Sequence, residues 1–175
     1  FCGPPATAES VLSSTGGTEI TMRCRHPALL QLLGRWRMQE RHNMESFLEG
    51  LGFNGIMRAL LVKAGQEQVI NYSDQADTMR VITSDLRGTS ELELPLSGKW
   101  VMAHDGDGGS TVCRSASVVK GTRAVVITER APDEREPLSV CTRTLLPDGR
   151  MCIDIQKRNA GGAAGGRVFR GEERF

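Results

Sequence analysis

Aromatic side chains and long apolar runs are both scarce in this sequence. Phe, Trp and Tyr together make up 5% of the chain, and no stretch approaches the ~18 consecutive apolar residues of a membrane-spanning helix. The first five residues lack an initiating Met and the basic and apolar regions of a signal peptide, so we expect a fragment or a processed chain. These absences predict a cytoplasmic protein.

Neither the net charge nor the cysteine pattern marks a specialised class of protein. The 22 Lys and Arg residues nearly balance the 21 Asp and Glu residues, for a net charge of +1, so no nucleic-acid partner is predicted. The cysteines are odd in number and include no C-x-x-C pair. Without a secretory signal we expect reduced thiols, which in predicted strands act as small hydrophobic side chains. They are Cys2, Cys24, Cys113, Cys141 and Cys152.

Motifs for catalysis and for metal binding are missing as well. The sequence has no G-x-S-x-G elbow, no phosphate-binding G-x-x-x-x-G-K loop and no obvious Cys/His pair. The acidic, glycine-rich segment 105–109 resembles the start of a calcium loop. Gly109 and Ala116 stand where an EF-hand needs ligands, however, so a hairpin turn is favoured. The histidines, His26, His42 and His104, lack ligand spacing. We therefore expect no enzyme, no metal and no other cofactor.

The length and the local composition predict one domain with an extension. A chain of 175 residues is large enough to bury a core or to enclose a cavity. Residues 1–31 are rich in Ala, Ser, Thr, Gly and Pro without a sustained period, which predicts a flexible N-terminal extension with a short ordered piece near residues 28–33. The domain is placed at residues 32–171, and residues 172–175 form a C-terminal tail.

A strand is predicted over residues 35–41, and two short amphipathic helices follow it. Asn43 is placed to cap the first helix and Gly52 to end it. Asn54 is placed to cap the second helix, which Gly65 ends. Apolar residues recur at helical spacing in both segments. The pair acts either as a lid or as a small packed unit without a gating role, and periodicity leaves both open.

From Glu67 onward the apolar period changes to two, which is typical of strands. Glu91-Leu92-Glu93-Leu94 alternates as a half-buried strand does, and turn signals recur between the alternating segments. We predict an all-β fold, a ten-stranded antiparallel up-and-down barrel, because closure removes the open edges of a meander. Side chains alone do not fill a barrel of this size, so a cavity for one small ligand is expected.

Two arginines on the late strands are candidate binding residues. Alternation places Cys141, Arg143 and Leu145 on one face of a strand, and Arg167 shares a face with Phe169 on the last strand. If these faces point inward, the buried guanidinium groups need an anion or a polar network, and a carboxylate is a natural partner. A register slip of one residue would make both arginines ordinary surface residues. Periodicity leaves these alternatives open.

The order of elements resembles the intracellular fatty-acid-binding protein family of the calycin superfamily, which includes the cytosolic retinoid-binding proteins. The resemblance runs from about residue 33 to residue 171. The similar motifs are Leu33-Gly34-Arg35-Trp36-Arg37 at the first strand, residues 43–52 and 57–60 in the helix pair, Cys141-Thr142-Arg143-Thr144-Leu145 before the turn Asp148-Gly149, and Arg167-Val168-Phe169 at the end. The helix pair and the closing R-x-aromatic motif distinguish this family from the secreted lipocalins.

The resemblance implies a ligand inside the barrel, with its carboxylate on Arg143, on Arg167 or on both. Phe169 stands where the family most often has Tyr, so Arg143 is the first choice for the head group. Retinol-binding members tend to carry Gln at the position of Arg143, which favours an acid over an alcohol. The low aromatic content suits a flexible acyl chain. Cys141, Leu145 and Phe169 complete the implied site.

The resemblance also implies a route for the ligand and a set of partners. Met57, Leu61 and Leu86 are the candidate portal residues, on the helix pair and the loop after the third strand. We expect a monomeric carrier of a long-chain fatty acid or a related hydrophobic carboxylate, with transient membrane contact through the helix pair. The alternative is a structural or protein-interaction barrel whose cavity is filled and binds no lipid.

Overall fold

A computed structural model describes residues 9–11, 21–23, 25–86, 88–104, 111–159 and 162–172, with side chains described for residues 25–86, 88–104 and 111–158. The elements are, in chain order, β1 (Glu9–Val11), β2 (Thr21–Arg23), α1 (Pro27–Leu30), β3 (Gly34–His42), α2 (Met44–Gly50), α3 (Gly55–Lys63), β4 (Glu67–Ser73), β5 (Thr78–Asp85), β6 (Gly88–Pro95), β7 (Val101–His104), β8 (Thr111–Val118), β9 (Ala124–Arg130), β10 (Ser139–Leu145), β11 (Met151–Asn159) and β12 (Gly162–Glu172).

Strands β3 to β12 form one antiparallel sheet in which consecutive strands pair, except β6 and β7 at its two edges, and the last strand pairs with the first. The order is β6-β5-β4-β3-β12-β11-β10-β9-β8-β7, and an isolated bridge between Ser97 and Ser117 ties the segment between β6 and β7 to β8. The inner face carries the core, which includes Ile70, Met79 and Val125. The predicted all-β fold, a ten-stranded up-and-down barrel with a two-helix cap after its first strand, is confirmed.

Helices α2 and α3 lie between β3 and β4, as the periodicity predicted. The Asn54 side chain accepts a hydrogen bond from the Met57 backbone N–H at 3.0 Å and so caps α3. Asn43 occupies the predicted N-cap position of α2, but it has φ 54° and its side chain makes no capping hydrogen bond. Asparagine tolerates the left-handed region better than most residues, and Asn43 starts α2 through its backbone carbonyl instead.

The end of the barrel where β3 begins is closed by α1. Leu29 and Leu32 are 0% exposed, and the Trp36 indole N–H donates to the Leu32 carbonyl at 2.9 Å. Core packing thus begins inside α1, earlier than the predicted domain start at residue 32. Of the predicted extension, β1 and β2 pair with each other, and residues 1–8, 12–20 and 24 lie outside the described residues.

The other end of β3 is bonded to the helix pair. The Arg41 guanidinium donates to the carbonyls of Leu61, Val62 and Ala64 at the end of α3. Those carbonyls have no partner within the helix, and a cation there also complements the helix dipole. Burial lowers the pKa of Arg41, yet an arginine stays charged.

Across the described residues, no helix is long and apolar enough to cross a membrane.

Candidate binding cavity

Strands β5 to β10 border a partly open cavity. Its volume is about 630 Å³, within the range of roughly 300–1,000 Å³ typical of small-molecule sites. The residues that line it are Val81, Thr83, Asp85, Gly88, Thr89, Ser90, Glu91, Leu92, His104, Arg114, Ile127, Glu129, Ser139, Cys141 and Arg143. The barrel therefore holds space that its own described side chains do not fill.

Strand β10 places Arg143 on the cavity side of the wall. Thr142 and Thr144, its neighbours in the chain, line a shallow groove on the opposite face, as strand alternation requires. The Arg143 residue is only 5% exposed. Of the alternatives that the sequence left open for this residue, the structure has the inward one.

The Arg143 guanidinium has little to compensate its charge. Nη1 donates to the Cys141 sulfur at 3.2 Å, and Nε is buried without a hydrogen-bond partner. Among the described side chains Arg143 forms no ion pair. A buried cation without a counter-charge is costly unless an anion or water reaches it.

A second arginine in the cavity is already neutralised. Arg114 on β8 donates from Nε to the Glu129 carboxylate on β9 at 2.8 Å, and the two residues are cross-strand partners. This pair was not among the predicted site residues. Alternation could have found it, because Arg114 shares a face with Val112 and Ala116.

The rest of the lining mixes apolar and polar groups. Val81, Leu92 and Ile127 provide apolar surface, whereas Asp85 and His104 add polar groups that were not among the predicted site residues. Both polar residues belong to strands that were predicted only as barrel wall. Both residues line the cavity because they lie at the ends of their strands that border it. The amino-acid composition does not indicate which end of a strand borders a cavity.

Of the other predicted ligand contacts, Cys141 lines the cavity and Leu145 does not. Leu145 packs half-buried against the core cluster. For Arg167 and Phe169 the backbone register is described: Arg167 is paired with Asp154 and His42, and Phe169 with Cys152 and Glu40.

Arg143 is not directly paired with either of these residues in the sheet, but its row of cross-strand partners lies between theirs. It is paired with Ile153 on β11, which is paired with Val168 on β12. The side chains of Arg167 and Phe169 lie outside the described residues, so their part in ligand binding stays a prediction.

The predicted portal residues border the helix pair and the β5–β6 turn. Met57 on α3 and Leu86 in the turn are exposed, and the Leu61 carbonyl is held by Arg41. None of the three lines the cavity, although Asp85 and Gly88 on either side of the turn do.

No metal site is present in the part of the chain that the structure describes, where no cluster of three or more His, Cys, Asp or Glu residues could hold an ion. The hairpin turn predicted at residues 105–109 lies outside the described residues.

No protein-family model matches the chain, but curated relatives do. The chain is 25% identical over 122 residues to cellular retinoic acid-binding protein 2 of Bos taurus, a match that covers 70% of this chain and 86% of the relative. The Homo sapiens protein of that name is 24% identical over the same length, with the same coverage.

Solved structures match in fold at lower identity. The REP1-NXSQ fatty acid transporter has a TM-score of 0.64 and 16% identity, covering 83% of this chain and 98% of its own. Apo Caenorhabditis elegans lipid binding protein 8 has a TM-score of 0.65 and 16% identity, with 83% and 97% covered. Zebrafish ileal bile acid-binding protein complexed with cholic acid has a TM-score of 0.64 and 14% identity, with 82% and 99% covered.

Proposed function

We propose that this chain, which resembles the intracellular lipid-binding protein family in sequence and in fold, is an intracellular carrier of a hydrophobic carboxylate. The ligand would lie inside the barrel and be held noncovalently, and the protein would be a carrier rather than an enzyme. A long-chain fatty acid is the simplest ligand of this class.

The single observation that carries the proposal is the uncompensated Arg143 guanidinium in the cavity. Its Nε is buried without a hydrogen-bond partner, and its Nη1 donates to a thiol sulfur. A carboxylate is planar and accepts a forked pair of hydrogen bonds from a guanidinium, which gives both charge balance and orientation. The Arg114–Glu129 pair needs no such partner because its own carboxylate is in place.

The affinity would come from the chain of the ligand and the polarity from its head. Val81, Leu92 and Ile127 offer apolar contact inside the cavity, and each buried CH₂ contributes ~0.8 kcal/mol. An alcohol of equal length has the same chain but no charge for Arg143 to bind. Acids should therefore bind more tightly than alcohols.

Ligand access is proposed to occur beside α3. This helix has no buried residue, and Ile56 on it is 84% exposed, as a surface that touches a membrane transiently would be. Met57, Leu61 and Leu86 remain the proposed portal residues, and the protein is proposed to act as a monomer.

The test is displacement of a fluorescent fatty-acid probe from delipidated protein by hexadecanoic acid or by hexadecanol. Arg143→Gln should weaken acid binding by about tenfold or more, since a hydrogen bond to a charged group contributes roughly 1.5–3 kcal/mol, and should leave alcohol binding near that of the wild type. Arg37→Gln is the matched control, because Arg37 is exposed and pairs with Glu67, and neither residue lines the cavity.

Two outcomes would overturn the proposal. Equal losses of acid and alcohol binding in Arg143→Gln would remove its head-group role. A folded, delipidated wild-type protein that binds no probe would favour the structural or protein-interaction barrel instead.

A further inference from the structure

One cysteine shares the cavity with Arg143, and the other described cysteines do not. Cys141 lines the cavity and its sulfur lies 3.2 Å from Arg143 Nη1. Cys152 lines the groove on the opposite face of the wall, and Cys113 is buried and lines neither space. The three thiols thus differ in what can reach them.

We propose that Cys141 is a covalent attachment site for electrophilic lipid acids, with Arg143 directing them to the thiol. This inference rests on the proposed function, because the same guanidinium would dock the carboxylate. The ligand class is a long-chain acid whose carboxyl group is conjugated through a trans double bond to a ketone. Its electrophilic carbon is then the one bonded directly to the carboxyl carbon.

The geometry supports this class because docking and reaction use adjacent atoms. Arg143 Nε is buried and unpartnered, and Nη1 already contacts the sulfur. A carboxylate bound by the guanidinium fork would place the carbon next to it beside Cys141 Sγ. Holding two reactants together in this way replaces a bimolecular encounter, an effect that can accelerate reactions greatly.

The chemistry is a conjugate addition that needs no oxidant or further reagent. The sulfur, as thiolate, forms a bond to the carbon β to the ketone, and the double-bond electrons move onto the ketone oxygen to give an enolate. The proton that the thiol lost returns to the carbon α to the ketone. The product is a thioether that contains every atom of both reactants.

The experiment exposes the full chain to a sixteen-carbon acid of this class and, separately, to its methyl ester. Trypsin places the described cysteines on separate peptides, residues 136–143 for Cys141, 151–157 for Cys152 and 100–114 for Cys113, and mass spectrometry follows each adduct over time. We expect the acid to modify Cys141 roughly tenfold or more faster than the ester does, and faster than it modifies Cys152 or Cys113.

Two variants test the role of the arginine. Arg143→Gln should remove the preference of Cys141 for the acid over the ester, whereas Cys152→Ser should leave the rate at Cys141 unchanged. A Cys141 rate that is the same for acid and ester, or no faster than that of Cys152, would overturn the inference.

Binding of plain hexadecanoic acid, measured in parallel, separates this inference from the proposed function. If hexadecanoic acid binds and depends on Arg143 but the enone acid shows no preference for Cys141, the carrier function stands and the attachment site fails. If hexadecanoic acid does not bind, the proposed function itself fails.

Discussion

The two ends of the barrel are held by different forces. Where β3 begins, Leu29, Leu32 and Trp36 are packed into the core with almost no exposed surface. Where β3 ends, α3 contributes no buried residue and is bonded to the barrel through the Arg41 guanidinium. The first end depends on apolar burial. At the second end α2 also buries Phe47 and Leu48, whereas α3 depends on a few polar contacts to its carbonyls.

This difference separates stability from access. Apolar burial is the main favourable term in folding, so the closed end should unfold only with the whole domain. Segments with few buried apolar contacts open at lower free energy, and α3 is such a segment. The proposed carrier function needs one region of each kind, since a ligand would have to pass a wall that otherwise stays folded.

The largest expected effect is at the centre of the closed end. Trp36→Ala should lower the free energy of unfolding by about 3–5 kcal/mol, because it removes a large buried side chain and leaves a cavity. Trp100→Ala is the matched control, since Trp100 is 42% exposed and should cost about 1 kcal/mol or less. Urea unfolding measures both, and equal losses would contradict the comparison.

A pair of leucines compares the two ends with the same chemical change. Leu29→Ala in α1 should cost about 2–5 kcal/mol, whereas Leu60→Ala on the exposed face of α3 should change stability by about 0.5 kcal/mol or less. Thermal unfolding of both variants measures the two losses of stability, which can then be compared. A Leu60→Ala loss as large as that of Leu29→Ala would mean that α3 packs more tightly than its exposure indicates.

Removal of the contact between β3 and α3 should act locally. Arg41→Met keeps much of the side-chain length and leaves the carbonyls of Leu61, Val62 and Ala64 to water, at a cost of roughly 1.5–3 kcal/mol to the docking of α3. Amide hydrogen exchange should become faster across α3 and stay unchanged in β4 and β5.

The control for this change is Arg37→Met, because Arg37 is exposed and pairs with Glu67 on the outer wall. Faster exchange in α3 in both variants, or in neither, would contradict the role given to Arg41.

The smallest effect is expected on the outer wall between the two ends. Hydrogen bonds from Arg35 and Arg37 hold the pKa of Glu67 below its ordinary value. The Glu67 carboxylate therefore stabilises the fold at pH values above its unfolded pKa, and this contribution is lost as the pH falls through the lower, folded pKa. Arg35→Gln should move the Glu67 pKa back up. NMR titration of the Glu67 carboxyl carbon measures it, and an unchanged midpoint would show that the ion pair is not formed in solution.

Much of the fold was predictable because its determinants are local. Alternation and turn residues specify the strands one hairpin at a time, and Asn54 caps α3 with an atom three residues from its partner. Asn43 shows the limit, since a good capping residue type takes a left-handed backbone instead. Leu29 shows a second limit, because the sequence around it does not distinguish a core leucine from one in a flexible extension.

The site was predictable only in part, for the same physical reason. The inward face of Arg143 follows from alternation once the register is known, but the register itself is set by pairing between distant strands. The partners of Arg41 are backbone carbonyls about twenty residues away, and every residue type has a carbonyl. The pairing of Arg114 with Glu129 required the register of two strands at once.

The positions of the two tryptophans determine what can be learned from the intrinsic fluorescence of this protein. Trp36 is buried at the closed end and Trp100 is on the outside, with its ring centroid 4.4 Å from the Arg130 guanidinium carbon. Neither indole lines the cavity. Emission that acrylamide cannot quench would thus come from Trp36 and follow the integrity of the α1 end, while the quenchable part would come from Trp100. A ligand in the cavity would be nearly silent in both signals, so optical titrations need an added chromophore.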